Sequence, residues 1–161
     1  MRFDVSNWLS DDSLLRPSDA SAAIILVDNN YLLQVRDKKK GIFYPGHLGF
    51  FGGGIESLES PQLCLIRELE EELGLLTTEN ELAYFTRLTF DFNFAGGPRK
   101  LHRDFFVLNL SREHVNDLVV NEGAGYRLTS AADALSSDLP IAPYDAYALW
   151  LHENKESFVF N

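Results

Sequence analysis

Cysteine is nearly missing from this chain: Cys64 stands alone among 161 residues. A single thiol excludes any intrachain disulfide, and with it the stapled scaffolds of small secreted domains. Long apolar runs are missing too, since none approaches the roughly 20 residues that a membrane-crossing helix needs. Where a secretory signal would place an apolar core, the first stretch carries Asp4, Asp11, Asp12 and Asp19, so a cytoplasmic protein with no membrane partner is expected. Positive charge is short: 14 lysines and arginines face 24 acids, for a formal net charge of −10. Binding a nucleic-acid polymer rests on many lysine and arginine contacts to phosphate, which argues against such a partner. A small anionic substrate remains open to the chain through a metal ion. No internal repeat, low-complexity tract or linker interrupts the sequence. At this length one domain over 1–161 is expected, able to bury about 68–70% of its unfolded surface.

What the chain has instead is an acidic helix with clear ends. Ser60 suits an N-cap, Pro61 suits the first turn, where its missing N–H is no loss, and Gly74 suits a left-handed stop. The expected helix therefore runs from about Pro61 to Leu73. At roughly 100° per residue, Leu65, Ile66, Leu69 and Leu73 share one arc, and Glu68, Glu71 and Glu72 share another. That acidic face is a poor choice for stability. Like charges at three- and four-residue spacings each cost about 0.2–0.5 kcal/mol, and acids in the last turn oppose the helix dipole by roughly 0.3–1 kcal/mol. A divalent cation would offset both. All-oxygen donors select hard ions, Mg²⁺ first with Mn²⁺ and Ca²⁺ behind it, and Mg²⁺ is usually shared between carboxylates and substrate phosphates. The plainer reading of a bare acidic run is a solvated helix face.

Spacing decides between the two. Gly53, five residues, Glu59, seven residues, then Arg67-Glu68-Leu69-x-Glu71-Glu72-x-Gly74-Leu75 resembles the complete signature of the Nudix hydrolases, with nine specified positions over 23 residues. Chance seldom matches so long a pattern with two gaps of fixed length. The resemblance implies an α/β fold, a Nudix-type α/β/α sandwich with a mixed sheet, in which the signature forms a loop, a helix and a loop. It implies attack of water on phosphorus in the diphosphate linkage of a nucleoside diphosphate derivative, such as a nucleotide sugar, or of a nucleoside triphosphate. The implied cofactor is Mg²⁺, with Mn²⁺ as substitute. Glu68, Glu71 and Glu72 become the candidate catalytic carboxylates and metal ligands, joined by the Gly52 carbonyl. Glu59 and Arg67 become a supporting ion pair that holds the loop. Phe51, Leu58 and Leu48 depart from the family's frequent proline, glycine and tryptophan, though none is a fixed position. A non-catalytic nucleotide-sensing module is the alternative, but such modules commonly carry damaged signatures and this one is intact. The resemblance also raises a homodimer, for which the sequence holds no pattern.

The rest of the chain supplies strands and charge. Two apolar strands are expected over 22–27 and 31–36, joined by Asp28-Asn29-Asn30. Two more are expected over 82–94 and 103–110, turning at Ala95-Gly96-Gly97-Pro98. Residues 111–118 read as a short helical or irregular link. A closing amphipathic helix is expected over 144–152 after Pro140 and Pro143, with Tyr147, Leu149, Trp150 and Leu151 as core or interface. Residues 1–19 are weakly patterned and read as an N-terminal arm. By the same resemblance Arg36, at the end of a strand, is a candidate for substrate phosphate, a task that suits a guanidinium fork. Lys38, Lys39 and Lys40 beside it read as a solvated loop. Arg103, in a second basic cluster with Arg99, Lys100 and His102, is a further substrate candidate. Glu122, in a loop before a strand and a helix, stands where relatives place an additional metal ligand or base. His47 and Cys64 read as structural, Cys64 as a small residue beneath a loop.

Overall fold

The fold begins with a tight hairpin. In the computed structural model, which describes residues 18–91, 100–136 and 140–158, β1 (Ala20–Val27) and β2 (Asn30–Val35) pair antiparallel with Val27 opposite Asn30. The turn is thus the two residues Asp28 and Asn29, at φ +52° and +51°, one fewer than expected. Both side chains tolerate the left-handed backbone that matches the twist of the flanking strands.

Nearly every side chain of β1 is buried, which puts the strand in the middle of the sheet. On one side it runs parallel to β5 (Lys100–Leu110), from Ala20 opposite Arg103 to Val27 opposite Leu110. β4 (Ala83–Asp91) pairs antiparallel with β5 at the sheet edge, with a shift of register between Tyr84 and Thr86. On the other side β1 and β2 diverge, and residues 48–54 fill the gap. β3 (Leu48–Gly49) pairs with the end of β2, while Phe51 and Gly54 bridge to Ala23 and Ala20. β6 (Gly125–Thr129) pairs with β2 from Tyr31 to Val35, completing a mixed sheet of six strands.

Helices cover both faces. α1 (Pro61–Leu73) packs Leu65, Leu69 and Leu73 with Ile25, Leu32, Phe51 and Phe106. After the short α2 (Arg112–Asn116), capped by Ser111, α3 (Ala131–Ser136) and α4 (Pro143–Glu153) bring Ala134, Ala148 and Leu149 to Ile24, Leu33, Phe50 and Phe105 on the other face. The period of two sorts the side chains: Ile24 and Ile25, like Phe50 and Phe51, are neighbours in sequence and belong to opposite layers. Each fully buried leucine or phenylalanine stabilises the fold by about 1.5–3 kcal/mol. The architecture is the α/β/α sandwich expected.

Some boundaries differ. α4 is one residue longer at each end than expected. Its Leu149 is core, but Tyr147 and Trp150 stand about half exposed on the outer side, stacked at 6.2 Å, because they fall on the arc turned away from the sheet. β5 starts at Lys100, three residues before the expected start. The expected turn over 95–98, Arg99 and the N-terminal arm up to Pro17 lie outside the described residues. No described helix is long and apolar enough to cross a membrane.

Candidate active site

α1 is held at both ends by its own sequence. The Ser60 hydroxyl accepts the Leu63 N–H at 3.2 Å, and Gly74, at φ +61°, returns its N–H to the Glu70 carbonyl at 2.9 Å. The helix therefore presents its acids at a fixed rotation, and tertiary contacts then make the three glutamates unlike. Glu72 is 5% exposed, the Glu68 side chain 15% and the Glu71 side chain 58%.

Glu72 points into the junction between α1, β2 and the loop before α1. Its Oε1 accepts from Gln34 Nε2 and its Oε2 from the Gly52 N–H, both at 2.8 Å. Burial pushes its carboxyl up to about 7; those two donors pull the other way, and the charges of Glu68 and Glu122 push it further up. Glu68 is also raised, by burial first, against the opposing pull of Arg67 and with Glu71 and Glu122 adding to the rise. Four carboxylates thus feel one another. Glu122 is brought there by Asn121, whose N–H bonds the Glu72 carbonyl at 2.8 Å and whose side chain bonds the Glu71 carbonyl at 3.1 Å.

Arg67 organises the other side. Its Nε and Nη2 grip Glu59 as a fork at 3.0 Å each, Nη1 reaches Glu68 at 2.7 Å and Glu71 at 3.1 Å, and Nη2 also donates to the Gly54 carbonyl at 3.1 Å. That fork holds Glu59 below the usual carboxylate range, as a bidentate guanidinium does. Arg67 is consumed by these contacts and the loop hangs on it.

The loop itself has no room for side chains. At Gly52, φ +133°, a β-carbon would stand 2.2 Å from the Ser21 carbonyl oxygen, and at Gly53 it would stand 2.4 Å from the Glu68 carboxyl. The Phe51 and Gly53 carbonyls are taken by the Ala23 and Ser21 N–H groups at 2.9 Å, so the Gly52 carbonyl between them lies outside that ladder. Cys64 is buried beneath the loop, its Sγ 3.6 and 3.4 Å from the Gly53 and Gly54 carbonyls, as expected of a packing residue. His47 lies on Tyr44, ring centroids 5.5 Å apart.

Among the described residues no three acidic, histidine or cysteine side chains gather closely enough to enclose an ion. The donor chemistry nevertheless suits a hard divalent cation. Every candidate group is an oxygen, the carboxylates carry more negative charge than Arg67 balances, and their mutual repulsion is what a cation relieves.

The glycine loop also borders a cleft of about 380 Å³, and Arg36, Arg103, Phe43, Phe90 and Tyr144 line its other sides. Two arginines read separately from the sequence therefore share one cavity. Arg36 donates through Nε to the Phe43 carbonyl at 2.9 Å. Arg103 is neither solvated nor in a surface ion pair, the plainer settings for such a residue: its side chain is 12% exposed and faces the buried Asp145. The expected solvated loop holds at Lys38, Lys39 and Lys40, which are exposed. Gln34, Asn121, Tyr144 and Asp145 were not legible as site residues. Gln34 as a polar residue inside an apolar strand was the only local signal.

The comparisons bear on the fold and the family. The chain resembles, in fold, the solution structure of the E. coli ORF135 protein, at 24% identity over 89% of this chain and 94% of that one, with a TM-score of 0.65. It also resembles a MutT NUDIX hydrolase from Burkholderia pseudomallei, at 20% identity, 84% and 97% coverage and a TM-score of 0.67. A third likeness is the E. coli dihydroneopterin triphosphate pyrophosphohydrolase, at 17% identity, 91% and 94% coverage and a TM-score of 0.61. No curated protein sequence matches the chain. The sequence matches the family model of the NUDIX domain over residues 17–149, which spans the glycine loop, the carboxylate helix and both cleft arginines, and the chain accordingly belongs to the Nudix family of pyrophosphohydrolases.

Proposed function

We propose that the chain is a Mg²⁺-dependent hydrolase that cleaves the diphosphate linkage of a nucleoside diphosphate derivative or a nucleoside triphosphate by attack of water on phosphorus. The observation that carries this is the convergence of the glycine loop on two groups at once. Gly52 and Gly53 contact Glu72 and Glu68 on one side and border the arginine-lined cleft on the other. Phosphoryl transfer asks for little covalent help from a protein and much charge neutralisation and alignment.

In this reading Glu68, Glu71 and Glu72, with Glu122 and the Gly52 carbonyl, hold the ion. When bound, Mg²⁺, or Mn²⁺ in its place, neutralises phosphate charge and aligns the displacement. Arg36 and Arg103 take phosphate oxygens, a task that suits a planar guanidinium. Arg67 and Glu59 orient the loop and the first carboxylate without touching substrate. Phe43, Phe90 and Tyr144 give the cleft an apolar side for the rest of the molecule. The partner is a small nucleotide, since the net charge of −10 opposes a nucleic-acid polymer.

A release assay for phosphate and mononucleotide with Mg²⁺, run over triphosphates, nucleotide sugars, ADP-ribose and dinucleoside polyphosphates beside Glu72→Gln, tests this reading. Turnover of one class is expected, falling at least about 100-fold in Glu72→Gln and abolished by chelator. Silence on every class, with nucleotide binding retained, would move the assignment to a sensing module.

A further inference from the structure

Asp145 has no part in the Nudix signature, yet it is buried completely at the start of α4. A carboxylate without water is costly unless charge and hydrogen bonds meet it. Its Oδ2 accepts the Phe50 N–H at 2.9 Å, and its Oδ1 stands 3.3 Å from Arg103 Nε. The second contact is an ion pair without a hydrogen bond, since neither Arg103 Nε nor Asp145 Oδ1 has a hydrogen-bond partner. The site is shaped for this acid: a β-carbon on Gly49 would come within 2.9 Å of Oδ2.

Arg103 is placed by what surrounds it. Its guanidinium carbon lies 5.1 Å from the Tyr144 ring centroid and 5.8 Å from that of Phe105, a stacked cation geometry. Asp145 supplies the charge behind it. The result is a guanidinium set into the cleft wall that donates no hydrogen bond among the described residues. The Nε edge of the guanidinium faces Asp145 across 3.3 Å, and the residue lines the cleft, where a charged guanidinium suits an anionic group. Phe50, the other partner of Asp145, is followed at once by Phe51 and the glycine loop.

We propose that Asp145 is a positioning residue for the anionic substrate: it holds the Arg103 guanidinium on the wall of the cleft and ties that wall, through Phe50, to the strand leading into the glycine loop. The proposal rests on the reading of the cleft as the substrate site. Fixing Arg103 before substrate arrives lowers the ordering cost of binding, so the effect belongs in KM.

The test is a cycle of Asp145→Asn, Arg103→Gln and the double variant, reading KM and kcat on whichever screened compound the wild type turns over fastest. Each single variant is expected to raise KM about tenfold with kcat within about twofold of wild type, and the double variant to be no worse than Arg103→Gln alone. Additive losses, or a wild-type KM in Asp145→Asn, overturn the proposal and leave the hydrolase reading standing. A wild-type KM in Arg103→Gln removes the Arg103 assignment and the proposal together. If Asp145→Asn does not fold, the carboxyl ¹³C signal of Asp145 decides the matter. It is expected to titrate at higher pH in Arg103→Gln than in wild type, and an unchanged titration overturns the proposal.

Discussion

Glu72 shows what a buried acid does to a fold before any ion binds. Burial raises it from an ordinary 4.5 to about 7. Between those values the folded state holds a proton that the unfolded state has released. Its contribution to stability is therefore full below about 4.5 and is lost as pH rises through about 7. For chelator-treated protein, wild type is expected to lose roughly 2–3 kcal/mol relative to Glu72→Gln between pH 4.5 and 8, and parallel melting curves across that range would contradict it. Leu58 poses a simpler residue-scale question. It is fully exposed at φ +68°, at a position where the family often has glycine. The left-handed backbone costs a residue with a β-carbon about 1–2 kcal/mol, partly offset by the greater freedom glycine has when unfolded. Leu58→Gly is expected to stabilise by about 0.5–1 kcal/mol in urea denaturation, without loss of turnover.

At the scale of elements, α1 and the loop before it divide the labour of stability and chemistry. Gly74 ends the helix at φ +61°, where a β-carbon would meet nothing nearer than Val119 at 3.7 Å, so Gly74→Ala adds backbone strain alone. It is expected to cost about 1 kcal/mol and leave kcat unchanged. Gly53→Ala should do the reverse. Its new carbon would fall 2.4 Å from the Glu68 carboxyl, the far end of a flexible side chain, which can shift without moving the backbone but at the expense of its 2.7 Å contact with Arg67. Displacing that carboxyl by about an ångström is expected to lower kcat about 100-fold. Thermal melts and initial rates on the two variants check both, and a Gly53→Ala enzyme of normal kcat would mean that Glu68 is not held at its working position by the loop.

For the molecule as a whole, the acid cluster predicts linkage between Mg²⁺ and stability. An ion that binds only the folded state at about 100 times its Kd adds about 2.7 kcal/mol, which for a chain of this size raises Tm by roughly 5–10 °C. Scanning calorimetry with and without chelator reads this, and Glu72→Gln is expected to lose most of the increment. A Tm indifferent to Mg²⁺ would remove the ion-binding role from the acidic arc.

The residues by themselves determined α1, its two caps, its apolar and acidic arcs and the place of the first hairpin's turn, and the family resemblance added the Arg67–Glu59 pair. All of these rest on interactions within about eight residues, or on a spacing that one helix imposes. The resemblance singled out Arg36 and a basic cluster singled out Arg103 as substrate candidates, but as two unrelated guesses. Only the tertiary structure decided that both arginines line one cleft, that Glu72 and not Glu71 is the buried acid, that Gln34 and Asn121 hold the carboxylate end of α1, and that Asp145 is buried against Arg103. The physical reason is burial. An aspartate one turn into a helix and a glutamine near the end of a strand look the same in sequence whether water or a packed wall surrounds them. Strand register, with β1 parallel to β5 and residues 48–54 wedged between β1 and β2, is what removes the water.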